Sequence, residues 1–67
     1  MGRTITGVIR EVDLGRRTVT LRDGIELWVP PGQSMGGLSG GLPIKAVWED
    51  EGGRRRVREI RANNVPP

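Results

Sequence analysis

The residues best equipped for chemistry in this sequence are one tryptophan and four arginines: Trp28 with Arg10, Arg16, Arg17 and Arg22. An indole offers a flat face for stacking, worth ~1–3 kcal/mol per base, and guanidinium groups neutralise phosphates. Together they form the minimum equipment for holding a single-stranded nucleic acid. Arg54, Arg55 and Arg56 are secondary candidates, because Glu49, Asp50 and Glu51 lie close enough in sequence to answer their charge across a hairpin. Catalysis has much less to work with. The chain has no Cys and no His, which removes the usual nucleophile–base pairs and a structural zinc site. Ser34 and Ser39 sit in a glycine-rich stretch without a recognisable base. Asp13, Asp23, Glu49, Asp50 and Glu51 fall in turns or in a charge ladder, where acids are ordinarily solvated. The expectation is a binding protein that is not an enzyme and needs no cofactor or metal.

Sixty-seven residues with a formal charge of +3 make one small domain, near the lower size at which a single core sustains folding. Residues 1–62 are expected to form it and residues 63–67 to fray. Ten of the eleven basic residues are Arg, which suits bidentate contact with phosphate or carboxylate. A GC-rich genome would write the same bias without any such partner. No stretch resembles a membrane span or a signal peptide. The expected setting is cytoplasmic, unless a leader has been removed.

The elements that must position these side chains are strands. Between Arg17 and Val29, apolar and polar residues alternate on both sides of Asp23-Gly24, a hairpin signal. A two-residue loop would mix the faces. A three-residue loop, Arg22-Asp23 followed by a left-handed Gly24, pairs Leu21 with Ile25 and Val19 with Leu27. Val19, Leu21, Ile25, Leu27 and Val29 then face inward, leaving Thr18, Thr20, Glu26 and Trp28 outside. Upstream, Ile5, Gly7 and Ile9 alternate but Val12 is out of phase, which a β-bulge around Arg10-Glu11 repairs. A Gly15-Arg16 loop then pairs Val12 with Val19. Pro30-Pro31 ends the third strand, and Gly32–Leu42 reads as a flexible crossover with no phosphate-binding signature. Pro43–Asp50 and Arg54–Arg61, joined by Gly52-Gly53, form a second hairpin with Trp48 in the core. Its register sets Glu49, Asp50 and Glu51 opposite Arg56, Arg55 and Arg54. Ile60 reaches the core only through a bulge near Arg58-Glu59.

Five short strands with one long gap between the third and fourth predict an all-β, OB-like barrel, named for oligonucleotide/oligosaccharide binding. The alternative, an SH3-like barrel, would need a helical turn where Gly52-Gly53 leaves no room. The layout Gly7-Val8-Ile9, Val12-Asp13, Thr18-Val19-Thr20-Leu21, Asp23-Gly24, Val29-Pro30 and Ile44-x-Ala46-x-Trp48 resembles a family of short uncharacterised bacterial barrel proteins. More loosely, it is similar to S1-type and initiation-factor-one OB domains. The first resemblance implies no activity. The second implies nucleic-acid contacts on the outer face of strands one to three, where only Trp28 supplies an aromatic ring. Two binding classes stay open: single-stranded RNA or DNA through Trp28 and the arginines, or a protein partner or self-association through an apolar patch of Trp28 and the glycine-rich loop. In a competing arrangement, that loop covers Trp28 with Met35 or Leu38.

Overall fold

A computed structural model describes residues 2–63. Five strands close into a barrel: β1 (Arg3–Asp13), β2 (Thr18–Leu21), β3 (Glu26–Trp28), β4 (Pro43–Glu51) and β5 (Arg54–Ala62). The order around the ring is β1-β2-β3-β5-β4, with β4 returning to β1. This is the OB-like arrangement, and its long connection lies between β3 and β4. No helix among the described residues is long and apolar enough to cross a membrane.

The predicted registers hold. Val19 pairs with Leu27 and Thr20 with Glu26. The Leu21 amide donates to the Ile25 carbonyl at 2.8 Å, the Gly24 amide donates to the Leu21 carbonyl at 3.0 Å, and Gly24 has φ +93°. That is a three-residue loop closed by a residue in a conformation costly for any side chain. The bulge in β1 lies between Ile9 and Glu11, so Ile9 meets Leu21 and Val12 meets Val19. The bulge in β5 lies at Arg58, where the pairing jumps from Trp48–Val57 to Val47–Glu59. Ile60 is thereby turned back against the core. Ile9, Val19, Leu21, Leu27, Val29, Met35, Ile44, Ala46, Trp48 and Val57 form that core. Closure removes free strand edges, which a chain this small cannot otherwise cover.

Three expectations require correction. The β1–β2 connection spans four residues, Leu14–Arg17, rather than two, because Arg17 takes φ +57° and leaves the ladder after Asp13–Thr18. Thr20 is on the outer face, as its alternation with Val19 and Leu21 requires, but it is buried there between its register partners, Glu11 on β1 and Glu26 on β3. Asn63 does not fray, since its amide donates to the Pro43 carbonyl at 2.9 Å and continues the β4–β5 ladder. The rest of the expected tail, 64–67, lies outside the described residues.

The seam between β3 and β5 is the least regular. These strands run parallel and share a single register pair, Trp28–Arg56. Beyond it, side chains replace the missing ladder. Arg17 Nε donates to the Val29 carbonyl at 2.9 Å, and its Nη2 donates to the carbonyls of Pro30 (3.1 Å) and Gln33. The Gln33 side-chain amide in turn donates to the carbonyls of Val57 (2.7 Å) and Arg58 (2.9 Å), which the β5 bulge exposes. Hydrogen bonds from a charged donor contribute ~1.5–3 kcal/mol in total effect on stability. Replacing the fork in Arg17→Lys should therefore lower stability by about 2 kcal/mol, or on the order of 10 °C in Tm, in urea and thermal melts. Arg17→Gly relieves the positive φ while deleting the fork, and should still melt below the native chain. An unchanged or raised midpoint in both variants would contradict a welding role for Arg17.

Candidate nucleic-acid interface

Trp28 stands at the open end of this same seam. Downstream of the Trp28–Arg56 pair, Gln33 ties the two sides together; upstream, β3 and the start of β5 separate. The gap is a cleft of ≈ 290 Å³ lined by Arg16, Thr18, Glu26, Trp28, Gly53, Arg54 and Arg55. Its floor is the outer face of β2–β3. Thr18 lies opposite Trp28 in the ladder, and Glu26 is two residues along β3 on the same face. One wall comes from the β1–β2 turn through Arg16, and the other from the β4–β5 turn through Gly53, Arg54 and Arg55. That turn is tight because Gly52 and Gly53 both take positive φ, +60° and +83°. It points Arg54 across the seam.

Trp28 is half-buried and lies outside the core cluster. Its cover differs from the expected one. Met35 is part of the core and Leu38 packs against it, while the guanidinium carbon of Arg54 lies 3.6 Å from the Trp28 ring centroid. This cation–π contact is worth ~0.5–1 kcal/mol where solvent has access. The second indole, Trp48, is buried as expected, with the guanidinium carbons of Arg3 and Arg55 at 5.6 and 5.3 Å from its centroid.

The structure divides the sequence-predicted arginines. Arg16 lines the cleft, exposed, with its backbone amide donating to Asp13 Oδ1 at 3.0 Å. Arg17 does not join it, because its fork is occupied by backbone carbonyls. Arg10 and Arg22 stand at the far end of the β1–β2 pair from Trp28: Arg10 is in the bulge, and the Arg22 amide donates to the Val8 carbonyl at 2.9 Å. Both are exposed, but they are not beside the indole. Of the secondary candidates, Arg54 and Arg55 line the cleft, whereas Arg56 pairs with Glu51 at 2.8 Å. The backbone register opposing Glu49–Glu51 to Arg54–Arg56 is as expected, yet the observed ion pairs run diagonally, Arg56–Glu51 and Arg58–Glu49 (3.1 Å). This leaves Arg54 free to cross onto Trp28.

Sequence reasoning held Arg54 and Arg55 as secondary candidates and gave Glu26 no role, whereas all three line the cleft. The barrel order itself was the available signal. Once β5 is placed beside β3, in parallel and with Arg56 at Trp28, Arg54 lies on the same side of that pair as Glu26. In the glycine-rich loop the amides of Gly36, Leu38, Gly41 and Leu42 are taken up internally, donating to Ser34 Oγ and to the carbonyls of Met35, Ile9 and Ser39.

No family model and no curated protein matches the chain. Its fold is similar to that of apo-CusF from Escherichia coli, with a TM-score of 0.81 and 13% identity over 96% of this chain and 89% of that one. At that identity the likeness shows the shared small barrel. In solution, the Arg54 cap predicts that the Arg54 δ-methylene and Nε–H protons resonate upfield through the indole ring current. Trp28→Leu should return them to ordinary positions, and unshifted Arg54 resonances in the native protein would show the ring to be uncapped.

Proposed function

We propose that this barrel is a non-catalytic module that binds single-stranded nucleic acid at the Trp28 cleft. The observation that carries this reading is the meeting of an indole face with arginines on both sides, Arg16 from the β1–β2 turn and Arg54 and Arg55 from the β4–β5 turn. OB barrels hold oligonucleotides on the face of strands two and three between those two turns. The Arg54 guanidinium carbon, 3.6 Å from the ring centroid, supports this reading, because a delocalised group already rests on the indole. A base arriving there takes the guanidinium's place, and Arg54 is then freed toward the neighbouring phosphate. Arg16 needs no such rearrangement, because its side chain has no ion-pair partner within 4 Å among the described residues. A cleft of this size seats about one base, with the phosphates on either side of it left to the arginines at the rim, so affinity should be modest and the sequence preference weak.

Binding without catalysis is the reading favoured by the side chains. Ser34 Oγ closes a local turn by accepting from Gly36. Glu49, Glu51 and Glu59 are occupied in ion pairs. Self-association through the glycine-rich loop has less support, because Met35, Leu38 and Leu42 turn toward the core and the exposed large apolar side chain among the described residues is Leu14.

Titrating the protein with a mixed-sequence oligonucleotide should change Trp28 fluorescence. With three arginines engaged, log K should fall against log salt with a slope near roughly −2, about 0.7 per phosphate contact. Trp28→Ala should weaken binding by ~1–3 kcal/mol. Arg16→Ala should reduce the slope by about 0.7, whereas Arg10→Ala and Arg22→Ala should leave it unchanged. No fluorescence response at low salt, or binding indifferent to salt, would overturn this function.

A further inference from the structure

Glu26 is the one acid in an otherwise basic cleft. It shares the cleft with Arg16, Arg54 and Arg55, yet none of the ion pairs formed among the described residues includes it. Nor, among the described residues, does its carboxylate accept a hydrogen bond from any side chain or from a backbone amide outside the strand ladders. The nearby guanidiniums are directed elsewhere, with Arg54 on Trp28 and Arg55 toward Trp48. A carboxylate placed solely to neutralise this wall would be expected to take one of them. Instead, two acceptor oxygens remain available beside the stacking ring. For a site that holds a polyanion, an unpaired acid opposes binding unless it gains something from the ligand.

What it can gain follows from its position. Residues 26 and 28 point to the same side of β3, and their Cβ atoms are separated by about two strand rises, or roughly 7 Å. Glu26 therefore stands alongside the indole rather than beneath it, where the edge of a base stacked on Trp28 would lie. An ionised carboxylate only accepts hydrogen bonds. It favours a base edge that presents an amino group, as cytosine does through N4, and disfavours one that presents a carbonyl oxygen at the same place, as thymine and uracil do through O4. Given a nucleic-acid strand in the cleft, as proposed above, we infer that Glu26 is a specificity-determining residue that selects amino-bearing bases, cytosine over thymine or uracil, at the position stacked on Trp28. Thr18, across the ladder from Trp28, does not discriminate, because its hydroxyl both donates and accepts.

Short oligo-dC and oligo-dT strands test this directly at neutral pH and low salt, read by Trp28 fluorescence. Both are pyrimidine strands of equal charge, so their phosphate contacts cancel in the comparison. The native protein should bind oligo-dC on the order of five- to tenfold more tightly than oligo-dT. Glu26→Val suits an exposed strand position and should bring the ratio to about one while strengthening oligo-dT binding, since a negative charge leaves the cleft. Glu26→Gln keeps the shape and can donate or accept, so it should also compress the ratio. Equal binding of the two strands by the native protein would overturn the role of Glu26 while leaving nucleic-acid binding intact. A native preference that survives both substitutions would do the same. Binding of neither strand would sink the underlying function, and the selectivity with it.

Discussion

Everything distinctive about this barrel depends on how β3, only three residues long, is joined to β5. A parallel pairing with one register pair cannot close a barrel by backbone hydrogen bonds alone. Arg17 and Gln33 complete it. The guanidinium gathers three carbonyls from the chain leaving β3, and the Gln33 amide anchors the same segment to the carbonyls that the β5 bulge releases. Four of these acceptors, the carbonyls of Val29, Pro30, Gln33 and Val57, are partly buried and would otherwise go unpaired, at a cost of ~1–3 kcal/mol each. The left-handed backbone at Arg17, ordinarily unfavourable for a side-chain-bearing residue, is tolerated because it aims the fork at this seam.

The weld at one end of the seam permits the opening at the other. Below Gln33 the strands are fastened; above the Trp28–Arg56 pair they part, and the space between them is the cleft. Its walls are the two turns that the topology brings to this end. Each wall takes its shape for a local reason: the Asp13 side chain accepts from the Arg16 amide in one turn, and two glycines of positive φ make the other tight. The cleft thus lies in a gap of the sheet, with its indole on β3 and its arginines on the two flanking turns and the start of β5.

Much of the scaffold was legible from residue order. Period-two alternation gave the strands, the Asp23-Gly24 turn gave the β2–β3 register, and the phase errors at Val12 and Ile60 revealed both bulges. Those signals are local, and they follow from the strict alternation of side chains along a strand. The site was harder because it is assembled from segments far apart in the chain. Arg17 looked like a surface cation, since nothing near it in sequence announces three carbonyl acceptors around residues 29–33. Arg54 looked neutralised, because opposing it to Glu51 on the backbone suggested a straight ion pair. Side chains four to six bonds long do not follow backbone register, and the observed pairs are diagonal. Trp28 was correctly read as lying outside the core, but its cover comes from the opposite hairpin.

The central claim is that the Trp28 cleft, and no other face, receives the nucleic acid. The most direct test is a two-dimensional nitrogen–proton NMR titration of the native protein with a mixed-sequence single strand at low salt. The claim predicts progressive shifts of the Trp28 indole N–H and of the amides of Arg16, Gly53, Arg54 and Arg55, while the Trp48 indole and the amides of Arg10 and Arg22 stay in place. Shifts confined to Arg10, Arg22 and the glycine-rich loop, with Trp28 unmoved, would contradict it.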